Sequence, residues 1–183
     1  MKSAKLFLAA MYLHLALSVA VPLVVLFAGE WTVLGQGLFT FYLFFIGVSQ
    51  LLGWVAVAMA ARAGGRRETD RVIRAWRTLK LGSIPFFVLN FLYSVAVWFV
   101  FVAASRGILL IFVPIPIAIT CFFILETGCV GCVAVKALRR QPPPVPNKVH
   151  YFLQLVPVLD VFSTLLLLHR QKVRMTPQSR FPE

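Results

Sequence analysis

The sequence predicts an all-α integral membrane protein, a bundle of four helices, and three observations predict it. Of the 183 residues, 60% are hydrophobic and 13% charged, and the mean hydropathy is +0.88; globular domains carry about 25% charged residues. The apolar residues gather into four runs, at about 6–29, 38–61, 81–104 and 108–135, each long enough for a bilayer core about 30 Å thick. Seven lysines and arginines lie in one of the three connections between those runs, and the other two together hold only Arg106. Four or five spans of about 20 residues nearly exhaust the chain, so it reads as one membrane domain, 1–183, with no room for a soluble catalytic domain.

The first run follows "MKSAK" and is interrupted by His14, Ser18 and Pro22. It resembles a signal peptide as far as Ala20, but its apolar stretch continues to Phe27, past the length of a signal core, so it reads as an uncleaved span. The net charge of +12 is explained by distribution. Lys2 and Lys5 precede the first span; Arg62, Arg66, Arg67, Arg71, Arg74, Arg77 and Lys80 lie between the second and third; eight more of the 18 basic residues follow the fourth. Arg106 stands alone on the other side. The positive-inside rule then places both termini and the 62–80 connection in the cytoplasm of a cell-membrane protein. Topology accounts for the basicity, and no nucleic-acid partner is needed.

Within the 62–80 connection, Val72, Ile73, Trp76 and Leu79 recur at helical spacing on one side, with Arg71, Arg74 and Arg77 on the other and Thr69 or Asp70 placed to cap. One reading is an amphipathic cytoplasmic helix on the bilayer surface, with Trp76 at headgroup level and Arg71, Arg74 and Arg77 on anionic lipid headgroups, each worth about 1 kcal/mol. The other is that the third span begins early and the arginines fix its orientation. Prolines in "SIPFF" at 83–87 and "VPIPIAIT" at 113–120 are expected to kink spans three and four.

After the fourth span, "QPPPVPNK" at 141–148 is a stiff Pro-rich linker, 149–169 a final apolar segment and 170–183 a basic tail. Crossing at 149–168 would carry Arg170, Lys172, Arg174 and Arg180 outside, so an interfacial helix or a re-entrant hairpin bent at Pro157 is expected. The run "QLVPVLDVFSTLLLL" in this segment resembles the C-terminal signature of small, uncharacterised bacterial inner-membrane proteins. The resemblance implies recurring polar positions at Gln154 and Asp160, and no mechanism.

The stretch "ILETGCVGCVAVKALRR" at 124–140 holds a CxxC pair, Cys129 and Cys132. A reactive pair is favoured at a helix N-terminus, where the dipole stabilises thiolate; these lie in the last turns of a span, facing a reducing compartment. Metal binding at Cys129 and Cys132 is a weak alternative, since Cys121 is about 12 Å further along the helix. Small Gly and Cys residues at "GCVGC" read as close helix packing.

Glu126 is the stronger clue. It is ten residues before Lys136; His14 is nine past Lys5, Gln50 twelve before Arg62 and Asn90 ten past Lys80. At 1.5 Å per residue these are all about 13–18 Å deep, so His14, Gln50, Asn90 and Glu126 are expected to form one mid-membrane cluster, with His14 in hydrogen-bond or single-water reach of Glu126. Interhelical glue explains such a layer; so does a site for a proton, ion or small solute. No nucleotide loop, HExxH or Ser-His-Asp spacing is present, and no cofactor is expected. The reading is a non-enzymatic protein that transports, senses or serves a larger membrane complex. The alternative is a membrane enzyme: a thiol oxidoreductase at the CxxC, or an acid-base catalyst on an apolar substrate. A homodimer through Ser49 with Gly53, or Ala56 with Ala60, is a further expectation.

Overall fold

The structure is a computed structural model; it describes residues 2–28, 33–105, 114–140, 149–154, 159 and 162–167. The 141–148 linker, Asp160, the bend at Pro157 and the 170–183 tail lie outside the described residues. The described chain forms α1 (Lys2–Ala28), α2 (Val33–Gly65), α3 (Thr69–Ser105), α4 (Pro114–Arg139) and α5 (Val149–Leu153), with 162–167 also helical. The first four are long and apolar enough to cross a membrane.

The helices overrun the apolar runs because an intrahelical hydrogen bond is satisfied in lipid and water alike. The largest extension is in α3. The 62–80 connection shrinks to a tight turn at 66–68, in which Arg67 takes a left-handed φ of 60° and Glu68 N–H donates to the Ala63 carbonyl at 3.0 Å, closing α2. The Glu68 carbonyl then accepts from Arg71 and Val72, so the first turn of α3 starts on Glu68, not on Thr69 or Asp70. A separate surface helix is absent here: the amphipathic stretch is the first three turns of α3. At 37 residues α3 is about 55 Å long, far more than a bilayer core, so part of it stands outside.

Pro114 and Pro116 are the first and third residues of the described part of α4, and the residues before them lie outside the described residues. Pro22 and Pro85 do fall inside α1 and α3.

Packing follows residue size. α2 presents Ser49, Gly53, Ala56, Ala60 and Ala63 to the interior, a small-residue face that admits close approach of neighbouring backbones. Those residues therefore lie in the interior of the bundle and are not a face for a second copy. Gly64 meets Val133, and the Arg140 guanidinium donates to the Gly64 carbonyl at 2.8 Å, so α2 and α4 run side by side in one direction. Phe7, Met11, Trp76, Leu79, Phe86 and Phe123 form the bulky part of the core.

The C-terminal segment doubles back. His150 Nδ1 is 2.8 Å from Ser163 Oγ, whereas the same thirteen residues of straight helix would span about 20 Å. A single helix crossing the membrane from 149 to 168 is incompatible with that contact.

Candidate functional site

Phe123 of α4 is the hub around which the polar side chains are placed. Its ring lies 6.0 Å from Phe7, 5.6 Å from Phe86 and 5.3 Å from the His14 imidazole, tying α1 and α3 to α4. Glu126 follows one turn later on the same helix, 0% exposed. Its carboxyl group rests on Gly53 of α2, where an added methyl would overlap Oε1 and Oε2. Glu126 thus faces protein rather than lipid, and the absent Gly53 side chain makes its space.

His14 and Gln50 border the same seam. His14 is buried between Phe123 and the ring of Tyr42, stacked at 5.4 Å. Gln50 is one turn before Gly53, as Phe123 is one turn before Glu126, so the parallel run of α2 and α4 sets Gln50 level with Phe123. His14 Nδ1, both polar atoms of the Gln50 amide and both Glu126 oxygens are enclosed with no hydrogen-bond partner among the described residues. The expected hydrogen bond from another span to Glu126 is therefore not made. Aromatic rings occupy the face and edge of the His14 imidazole and hold it on the Phe123 turn.

Asn90 leaves the cluster. Its amide donates to Thr120 Oγ1 at 2.9 Å. Thr120 is six residues before Glu126, about 120° away around α4, so this pair occupies the α3–α4 contact. The depth ruler failed at its origin: Lys80, taken as the membrane edge, is 3% exposed and sits eleven residues into α3.

A second polar group surrounds Gln154, at the end of the bundle where α4 finishes. Gln154 is 1% exposed and its Oε1 accepts from Trp76 Nε1 at 3.3 Å, while Nε2 reaches Ser163 and Thr164 Oγ atoms at 3.4 Å. It lies on Gly131, where a methyl would overlap Oε1. This corrects the placement of Trp76: 0% exposed, it is a core residue bonded to the C-terminal segment, not a headgroup anchor. Arg71, Arg74 and Arg77 do stand exposed, because only the opposite side of α3 enters the core.

The three cysteines are free thiols, Cys121 exposed and the CxxC pair half-buried. Cys132 Sγ lies 3.8 Å from the Tyr151 carbonyl, against the C-terminal segment. Cys129 is within electrostatic reach of both Glu126 and Lys80. No group of three His, Cys, Asp or Glu residues able to hold a metal ion occurs among the described residues.

Sequence reasoning missed Phe123, Gly53 and Gly131 as parts of the sites, and Lys80 as a buried cation. Phe123 and Glu126 at i and i+3, and Gln50 and Gly53 at the same spacing, carry the signal for the first two; the amphipathic pattern of 69–80, continued into the third span, carries it for Lys80.

No curated protein and no solved structure matches the chain. The sequence profile of a family of unknown function, DUF6652, matches residues 2–173. A chain whose sequence matches that profile over almost its whole length belongs to the DUF6652 family.

Proposed function

We propose that the chain is a non-enzymatic, multi-pass protein of the bacterial cytoplasmic membrane, with both termini inside, and that Glu126 is its intramembrane proton-binding site. One observation carries the reading: the Glu126 carboxyl is enclosed, has no hydrogen-bond partner among the described residues, and leaves no room for a methyl group at Gly53. A carboxylate charge in such surroundings costs about 3 kcal/mol even on lenient insertion scales. A bound proton removes the charge and needs no volume, whereas a hydrated ion or a solute needs a cavity that the contact with Gly53 does not provide. His14 and Gln50, one turn away, are the groups that meet the proton when the seam opens. Opening and proton exchange are thereby coupled, which is the arrangement of a proton-responsive sensor or of a proton-linked subunit in a larger membrane complex.

Infrared spectra of the protein in lipid, wild type minus Glu126→Gln, test this. The difference is expected to contain the carbonyl band of an un-ionised carboxyl, slow to shift in heavy water and lost on alkaline titration. A difference spectrum that contains carboxylate bands alone, from mildly acidic to mildly alkaline pH, overturns the reading.

A further inference from the structure

The exposed face of α2 changes character along one stripe. Leu51, Val55 and Met59 are exposed apolar residues at four-residue spacing, and Arg62 and Arg66 continue the same stripe, also exposed. An apolar stripe that turns cationic within one helical turn marks the level at which acyl chains give way to headgroups. At that level three helices meet. Lys2 and Ser3 of α1, Met59 of α2 and Arg71 and Arg74 of α3 line an open groove of about 440 Å³. A smaller hollow of about 110 Å³, lined by Met59, Arg62, Ala63, Arg66, Glu68 and Arg71, adjoins it, with Met59 and Arg71 common to both. The linings hold Lys2, Arg62, Arg66, Arg71 and Arg74 against the one acid Glu68, which is paired with Arg71 at 3.0 Å. Arg77 lines neither.

We infer that this groove is a binding site for one anionic phospholipid, its phosphate held by Lys2, Arg71 and Arg74 and an acyl chain laid along Met59, Val55 and Leu51. The three cations come from helices fixed against each other by Ala4, Ala56, Ala60 and Val72 beneath the groove, so their convergence is built into the bundle and not left to mobile loops. Arginine presents paired N–H donors to phosphate. The apolar stripe beside it selects a lipid over a soluble phosphate, because chain burial adds to the binding in proportion to apolar area.

Native mass spectrometry of the protein from mixed micelles tests the site, with phosphatidylglycerol as the anionic probe and phosphatidylcholine as the zwitterionic one. Wild type is expected to retain one phosphatidylglycerol. The triple variant Lys2→Gln, Arg71→Gln, Arg74→Gln is expected to lose retention by about tenfold or more, given the strength of a basic residue near a charged headgroup. Lys136→Gln with Arg139→Gln, which removes two exposed cations elsewhere on the bundle, is expected to keep it. Equal loss in both variants, equal retention of phosphatidylcholine, or displacement by an equal concentration of glycerol phosphate overturns the proposal; the last would make the ligand a soluble phosphate. If the triple variant melts early in zwitterionic detergent, Arg74→Gln alone decides: a several-fold loss supports the site and unchanged retention sinks it.

Discussion

At the scale of the residue, Glu126 is held in place by what Gly53 lacks. Helix interiors disfavour glycine by about 1 kcal/mol relative to alanine, so alanine at 53 would gain on propensity if nothing opposed it. The overlap with Glu126 Oε1 and Oε2 opposes it. Gly53→Ala is therefore expected to destabilise the bundle by about 1–3 kcal/mol, the usual cost of overpacking, and to cost almost nothing when combined with Glu126→Ala, which vacates the space. A double-mutant cycle on thermal melts in detergent measures the coupling. Equal costs of Gly53→Ala in the two backgrounds would show that the residues do not touch. Glu126 was legible in the sequence because hydrocarbon tolerates few acids; Gly53 was legible only as a residue on the Gln50 face, since a glycine among many small residues does not name its neighbour across the seam.

At the scale of the element, α3 shows why boundaries are harder to read than spans. A hydropathy run ends at its first charges, so Lys80 looked like the edge of the third span. The helix begins eleven residues earlier, and the alternation of Arg71, Arg74 and Arg77 with Val72, Ile73, Trp76 and Leu79 describes one helix entering a protein core instead of a bilayer surface. Both environments reward the same spacing, so periodicity alone does not separate them. What makes it core is the rest of the bundle: Val72 and Leu79 meet Ala4, Ala56, Ala60 and Val130 of the other three helices, and Gln154 of the returning C-terminal segment accepts the Trp76 N–H over Gly131. Gly131→Ala is expected to push Gln154 off this seat and leave the buried Trp76 donor unpaired, at about 1–3 kcal/mol. Amide exchange at 149–154 should then accelerate, and the emission of Trp76, isolated by comparison with Trp76→Phe, should shift to the red. Unchanged exchange at 149–154 would mean that Gln154 does not rest on Gly131.

At the scale of the whole molecule, charge and fold agree on one polar axis. Lys2 shares a groove with Arg71 and Arg74, and Arg140 reaches back to the end of α2 at Gly64, so the start of α1, the α2–α3 turn and the end of α4 meet at one end of the bundle. Four helices laid alternately must bring these three regions together, and the lysines and arginines of the described residues gather there. The positive-inside rule converts that gradient into an orientation. Labelling of single cysteines in a Cys-less background checks it, and replacing Cys121 is necessary because that thiol is exposed. Gly35 is enclosed by the bundle, whereas Gly37 and Gly65 are exposed with open space around a new side chain, so these two are the informative positions. In intact cells a membrane-impermeant maleimide should label Gly37→Cys and spare Gly65→Cys until the membrane is opened. Labelling of Gly65→Cys from outside would invert the molecule, setting the lipid groove in the outer leaflet and the Gln154 seat on the outer face.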